Sequence, residues 1–168
     1  ITQGVRGMLS KHEIRMRRVD LNDDLKDVED LISHDIQRNG IKIMRELAPD
    51  LPSVNADRIQ IEQVMMNLVL NAIDALSAVP PNLRWIVIRS SIGLSNSVEA
   101  SVEDSGPGIR EETLPRIFDS FFTTKDSGMG LGLALSRSIA EAHGGGLAAE
   151  NNSHGGATLR LILPISHN

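Results

Sequence analysis

The chain has 168 residues, which suits one domain, and its 40% hydrophobic content must build an aliphatic core because aromatic residues make up only 2%. A net charge of −5 argues against non-specific binding to nucleic acid or to an anionic membrane. The absence of cysteine excludes disulfides and thiolate metal sites, and no apolar run approaches the roughly 20 residues that a membrane span needs. No secretory signal is visible, so we expect a cytoplasmic location without membrane contact.

The first half of the chain predicts two helices and one strand. Residues 1–18 have weak periodicity and suggest the end of a preceding element with a linker. Apolar residues then recur at helical spacing from Leu21 to an Asn-Gly pair, which ends the helix, and residues 41–47 alternate as in a strand. Asp57 is predicted to cap a second helix that runs to about residue 78, before a pair of prolines.

The second half predicts two strands, a long loop, a helix and two more strands. The predicted strands are 85–90, 98–104, 147–150 and 157–163, and the helix is 131–143. Short connections within each strand pair predict antiparallel neighbours, and each helix can cover only one face of a sheet. We therefore expect an α+β fold, a two-layer sandwich of a mixed, mostly antiparallel sheet packed on about three helices.

The predicted helix 57–78 carries a polar stripe at steps of three and four residues. Its members are Gln60, Gln63, Asn67, Asn71 and Asp74. A solvated face is the usual origin of such a stripe, but solvated faces are rich in Lys and Glu, whereas this stripe consists mainly of amides. Amides tolerate partial burial because they both donate and accept hydrogen bonds, and Asn is a mediocre helix former. The stripe alone leaves a lined site and a solvated face equally open.

The strand 98–104 ends in a carboxylate that alternation places on the apolar side, because Val98, Ala100, Val102 and Asp104 share one parity. Burying a carboxylate is costly unless it is hydrogen-bonded or paired, and an exocyclic amine such as that of adenine is one candidate partner. The glycine-rich turn that follows lets a ligand approach the backbone closely. An ordinary Asx turn at a strand end would explain the same residues.

Three glycines, Gly128, Gly130 and Gly132, precede the last predicted helix. Free N–H groups and the helix dipole favour phosphate at such a place, although a flexible hinge is the alternative. The segment is neither a P-loop nor a dinucleotide fingerprint, because Gly-Lys-Ser/Thr and the third glycine of the fingerprint are missing. Just upstream, three of the four aromatic residues cluster in 118–122 next to Lys125, as the anchor and cation of a movable lid would.

Four ordered motifs together resemble the catalytic ATP-binding domain of sensor histidine kinases, in the Bergerat-fold superfamily that also includes the gyrase B subunit, MutL and the large heat-shock chaperone. The motifs are the N box at 67–72, the G1 box at 104–109, the F box at 118–122 and the G2 box at 128–133, followed by a glycine–threonine element at 156–158. The end of the N box and the short lid are similar to those of oxygen-sensing and nitrogen-regulation kinases. The resemblance implies that residues 1–18 are the tail of a dimerisation helix with its linker, 19–166 the ATP-binding domain and 167–168 the C-terminal end.

The resemblance implies a role for several motif residues around ATP and Mg²⁺. Asp104 would accept the adenine amino group, with Thr158 holding a nearby water, and Gly106 and Gly108 would shape the adenine pocket. Asn71 would bind Mg²⁺ through its side-chain oxygen, and the metal would bridge phosphates.

At the phosphate end, the resemblance implies that Gly130 and Gly132 pack against the phosphates and that Lys125 reaches the γ-phosphate. The remaining positions that it places around ATP are Asp74, Ile109, Phe118, Thr124, Gly128 and Leu131.

Asn67 distinguishes a kinase from a hydrolase. In the ATP-hydrolysing members of the superfamily a Glu at this place activates water as general base, and an amide cannot take up a proton usefully near neutral pH. The resemblance therefore implies transfer of the γ-phosphoryl group to a histidine, with Asn67, Asn71 and Lys125 as the catalytic residues. A hydrolytic Bergerat ATPase and a nucleotide-binding module without kinase activity are the alternatives.

The acceptor histidine is implied on a separate dimerisation domain of the same protein, with a response regulator downstream. His12 is followed by Glu13 as in an acceptor motif, but the motif's proline is missing. His34 is expected on the surface of the first helix and His143 as a structural cap before a glycine stop. We therefore expect no autophosphorylation of this chain alone.

Overall fold

The computed structural model describes residues 12–120 and 132–166. The helices are α1 (Leu21–Arg38), α2 (Arg58–Ala75) and α3 (Gly132–Ala142). The strands are β1 (Arg17–Val19), β2 (Lys42–Leu47), β3 (Val54–Ala56), β4 (Trp85–Ile92), β5 (Ser97–Asp104), β6 (Gly146–Asn151) and β7 (Ala157–Pro164). Short 3₁₀ turns occupy Leu76–Ala78, Pro81–Leu83 and Leu114–Arg116.

Five strands form one sheet in the order β2-β4-β5-β7-β6, in which only the β2–β4 pair is parallel. The apolar residues of β4, β5 and β7 that share one parity are buried in a single core with the helices. α1 packs on β2 and β4, α2 on β5 and β7, and α3 on β6 and β7. The predicted two-layer α+β sandwich with a mixed, mostly antiparallel sheet is therefore confirmed.

A second, two-stranded sheet was missed by the sequence prediction. β1 pairs antiparallel with β3, with Arg17 opposite Ala56 and Val19 opposite Val54. Val54 also makes an isolated bridge to Ile165 near the end of the described chain. A strand of three residues is too short for its alternation to be recognised, and only the pairing defines it.

Both long helices begin where a carboxylate caps them. The side chain of Asp20 accepts a hydrogen bond from the N–H of Asn22 at the start of α1, and that of Asp57 accepts from Gln60 at the start of α2. The predicted cap at Asp57 is confirmed. α2 is regular only to Ala75, three residues short of its predicted end, because the chain tightens into a 3₁₀ turn before Pro80. None of the helices in the described residues combines the length and the apolar character that crossing a bilayer requires.

The carboxyl group of Asp24 lies in the core near the starts of α1 and α2. Asp24 is fully buried and neither carboxylate oxygen has a hydrogen-bond partner within the described part of the chain. The Nε of Arg58 lies 3.2 Å from Oδ1 of Asp24, but Arg58 also pairs with Asp27 and Glu62. Burial and the neighbouring Glu62 raise the pKa of Asp24 to about 7.

The raised pKa of Asp24 predicts that stability falls as pH rises from the unfolded value of 3.8 to about 7 and is level above it, because the native state holds the proton more tightly than the unfolded state. Asp24→Asn mimics the neutral acid. We expect it to be more stable than the wild type at pH 8 by up to about 4 kcal/mol, from ~1.4 kcal/mol per pKa unit. The gain should shrink at pH 5.

Chemical denaturation at pH 5 and pH 8 measures this difference, with Asp27→Asn as the matched control. Asp27 pairs with the same arginine from a side chain that is 41% exposed, so its substitution should change stability little at either pH. An Asp24→Asn gain that is equal at both pH values would contradict a raised native pKa.

Candidate nucleotide-binding site

The carboxylate of Asp104 lies at the end of β5 and is only 6% exposed. Its Oδ1 accepts hydrogen bonds from the N–H of Gly106 at 2.8 Å and from the N–H of Ala157 at 3.3 Å. Burial raises the pKa of this carboxyl, against the lowering effect of the two N–H donors. The burial predicted from the strand's alternation is confirmed, and the group is held by the main chain of two different loops.

Two glycines allow these loops to come together. A Cβ on Gly156 would lie 2.0 Å from the carbonyl oxygen of Asp104, and a Cβ on Gly108 would lie 2.5 Å from the carbonyl oxygen of Gly155. Gly108 also has a φ of +80°, which side-chain-bearing residues rarely adopt. The loop after β5 therefore packs directly on the turn between β6 and β7.

Two asparagines that the sequence prediction missed fasten these loops. Asn151 accepts from the N–H of Ile109 and donates to the carbonyl of the same residue, both at 2.7 Å. Asn152 donates to the carbonyl of Asp104 at 3.1 Å and accepts from the N–H of Gly156 at 3.0 Å. The only sequence signal was an Asn pair before a glycine turn, and the partners across the site, Ile109 and Asp104, lie more than forty residues away in the chain.

α2 presents a row of residues, four apart, that runs from the Asp104 loop to the start of α3. Gly106 packs on Ala75, because a Cβ on Gly106 would lie 3.1 Å from the Cβ of Ala75. One turn earlier, the Nδ2 of Asn71 donates to the main-chain carbonyl of Asn67 at 2.8 Å. The row from Ala75 to Asn67 spans about 12 Å, since an α-helix rises about 1.5 Å per residue.

The side chain of Asn67 reaches across to α3. Its Nδ2 donates to the carbonyl oxygen of Gly132 at 2.9 Å and to the Oγ of Ser136 at 3.0 Å. Gly132 is the first residue of α3, where main-chain N–H groups have no partner within the helix. The predicted amide row and the end of the predicted G2 box are therefore brought together.

Phe118 and Asp74 are further predicted site residues in the described part of the chain. Phe118 is half-buried and packs on the core, and Asp74 is exposed and lines a groove of about 410 Å³ with Asp35 and Arg38 of α1. Outside the described residues are Thr124, Lys125, Gly128, Gly130 and Leu131.

The sheet register does not fit the expectation that Thr158 holds a water beside Asp104. Thr158 lies opposite Glu103, so their side chains share the face of the sheet that is turned away from the helices. Asp104 follows Glu103 and points to the other face. Ala157, one residue earlier than Thr158, provides the contact of β7 with the carboxylate.

Comparison with known proteins fits this geometry. The family described as histidine kinase-, DNA gyrase B-, and HSP90-like ATPase matches residues 56–167. The sensor protein FixL of Bradyrhizobium diazoefficiens is 42% identical over 130 residues, which is 77% of this chain. The match covers 25% of FixL, so the chain spans about a quarter of that relative.

Solved structures of histidine kinases share the fold. The catalytic domain of histidine kinase ThkA superposes with a TM-score of 0.80 at 37% identity, over 90% of this chain and 97% of that domain. ThkA in complex with the response regulator TrrA gives a TM-score of 0.78 at 31% identity, over 98% of this chain and 46% of that one. Full-length ShkA in complex with AMPPNP gives 0.80 at 28% identity, over 96% of this chain and 34% of ShkA.

One family of ATPases thus matches most of the chain, and the catalytic domain of ThkA superposes on 90% of it. The chain belongs to the family of histidine kinase-, DNA gyrase B- and HSP90-like ATPases, with the fold of the histidine kinase catalytic domains in that family.

Proposed function

We propose that this chain is the ATP-binding catalytic domain of a two-component sensor histidine kinase, which transfers the γ-phosphoryl group of ATP to a histidine on a separate dimerisation domain. The observation that carries the proposal is the buried carboxylate of Asp104, held through Oδ1 by two main-chain N–H groups in a glycine-walled turn. This turn lies at one end of the amide row of α2, and the start of α3 lies at the other.

Adenine fits the Asp104 end of this row. Among the described residues, the hydrogen bonds to this carboxylate all reach Oδ1, so Oδ2 can accept the exocyclic amine of the base. Gly106 and Ala75 lie close together beside it, and Ile109 is held by Asn151. A flat base needs such a close approach of the backbone on one edge and apolar contact on its faces.

Asn71 fits a ligand of Mg²⁺. Its Nδ2 donates to the carbonyl of Asn67, so the amide oxygen is the atom that would ligate the metal. Mg²⁺ held there would supply positive charge that neutralises the phosphates. The first turn of α3, beside Asn67, suits the phosphates themselves, because N–H groups at the start of a helix favour anions.

The bonds of Asn67 favour a kinase over a hydrolase. Its amide is engaged with the carbonyl of Gly132 and with Ser136, and an amide cannot remove a proton from water. Bound ATP would therefore be hydrolysed slowly, and its γ-phosphate would be attacked by a better nucleophile than water, the histidine of the dimerisation domain. The protein's contribution to transfer is then positioning and charge neutralisation.

The partners and location of the whole protein follow from the same proposal. A histidine-bearing dimerisation domain precedes residues 19–166, with 1–18 as its tail and linker, and a response regulator receives the phosphoryl group. ThkA, solved with its response regulator, supports this kind of partner. The proposed location of the domain is the cytoplasm, where ATP and response regulators are available.

The adenine pocket predicts that Asp104→Asn loses most of the affinity for ATP. The amide of Asn would present a donor as well as an acceptor, and a hydrogen bond to a charged group contributes about 1.5–3 kcal/mol, or roughly 10- to 100-fold in affinity. Calorimetric titration of Mg-ATP measures it. Glu103→Gln is the matched control, because this buried neighbour faces the opposite side of the sheet and pairs with Arg89. Equal affinities of Asp104→Asn and wild type would refute the pocket.

If Asn71 is a ligand of Mg²⁺, ATP binding by the Asn71→Ala variant should no longer depend on Mg²⁺. We expect the ratio of ATP affinities with Mg²⁺ and with EDTA to fall towards one in this variant, while Asp104→Asn keeps the wild-type ratio with weaker binding overall. Titrations under both conditions provide the ratio. An unchanged ratio in Asn71→Ala would assign the metal to another ligand.

The kinase proposal predicts the destination of the phosphoryl group. With γ-labelled ATP, we expect no label on this chain alone and label on the histidine-bearing dimerisation domain of a FixL-type kinase supplied in trans. His143 is buried and His12 is bonded to Asp57, which leaves neither placed as an acceptor. Acid-labile label on this chain, or release of inorganic phosphate alone, would contradict the assignment.

A further inference from the structure

Asp57 joins three parts of the fold at the start of α2. Its Oδ1 accepts from the N–H of Gln60 at 3.0 Å, which caps the helix. Its Oδ2 accepts from the N–H of Arg15 and from Nε2 of His12, both at 2.7 Å. Its own N–H donates to Nε2 of His143 at 3.1 Å. Burial works against the ionised form, but the N–H donors and His12 outweigh it and lower the pKa of this carboxyl.

His143 follows the last residue of α3 and is buried. Because its Nε2 accepts from the N–H of Asp57, its Nδ1 carries the proton, and Nδ1 donates to the carbonyl of Ile139 at 2.8 Å. The neutral ring therefore binds the last turn of α3 on one side and the first residues of α2 on the other.

The opposite end of α3 is attached to the same helix. The Nδ2 of Asn67 binds the carbonyl of Gly132 and the Oγ of Ser136, and Ser136 is almost fully buried. The 11 residues of α3 span about 16 Å, so its two attachments are separated by most of its length. A helix attached at both ends can neither slide nor tilt without breaking one of these bonds.

We propose that His143 is a positioning residue for ATP, and that its bond to the main chain of Asp57 keeps the first turn of α3 in register with Asn67 and Asn71. The inference rests on the proposed function, since the phosphates are the ligands that this turn would meet. His143 thus acts at a distance from the nucleotide, through the helix that it ends. Its role is neither that of a phosphoryl acceptor nor that of a general base.

The test compares ligands that do and do not carry phosphates. The variants are His143→Phe, which keeps the ring volume and loses both hydrogen bonds, His143→Gln, whose amide oxygen can replace Nε2 as acceptor, and His143→Asn, which is too short to reach the N–H of Asp57. His12→Phe is the matched control, because it removes a bond to the same aspartate and leaves α3 attached. Affinities for Mg-ATP and for adenosine are measured by calorimetry or NMR titration, with the unfolding free energy of each variant.

We expect His143→Phe and His143→Asn to bind Mg-ATP on the order of tenfold more weakly, which corresponds to about 1.4 kcal/mol, with adenosine affinity unchanged. His143→Gln should restore Mg-ATP binding, and His12→Phe should lower stability without changing the ratio of the two affinities. If His143→Phe does not fold, the contrast between Gln and Asn carries the same information.

Four results would overturn the inference. If the His143 variants lose as much affinity for adenosine as for Mg-ATP, the histidine is purely structural. If His12→Phe loses as much Mg-ATP affinity as His143→Phe, the effect originates at the start of α2. Unchanged Mg-ATP binding in the His143 variants, with a wild type that binds, would reject the inference and leave the proposed function intact. A wild type that binds no ATP would reject both.

Discussion

The requirement to satisfy a buried carboxylate shapes the end of the candidate site at which β5 stops. Asp104 must receive hydrogen bonds where it lies, and the donors are main-chain N–H groups from its own turn and from the start of β7. Main chain can approach so closely only where side chains are absent, as at Gly156. Asn151 and Asn152 then fasten the two loops to each other through hydrogen bonds to the main chain of Ile109 and Asp104.

α2 serves the core and the site at once. Its apolar residues are buried against β5 and β7, Asn67 binds the start of α3, and Ala75 packs on Gly106 of the Asp104 loop. Amides suit this boundary because each can satisfy donors and acceptors locally without carrying a charge that burial would penalise. Asn71 and Asn67 thus differ in role although they lie one turn apart, since the first is oriented by the helix backbone and the second binds α3.

The attachment of α3 at both ends connects distant parts of the fold to the Asn67 end of the candidate site. Segment 12–15 bonds to Asp57, Asp57 bonds to His143, and His143 ends the helix that begins beside Asn67. Each link is a hydrogen bond between different elements, so the position of Gly132 beside Asn67 depends on contacts at the other end of α3. The carboxylate of Asp57 binds the incoming segment and caps α2 through different oxygens, and it can do both at once.

The sequence by itself determined the features that depend on neighbours in the chain. Helical and strand periodicity, the cap at Asp57 and the buried parity of Asp104 all follow from residues within a few positions of each other, and so did the ordered motifs of the family. Only the tertiary structure decided that Asn67 binds a helix that begins 65 residues later and that Thr158 faces away from Asp104. It also decided the pairing of β1 with β3. These depend on register and on contacts between distant segments, which no local pattern encodes.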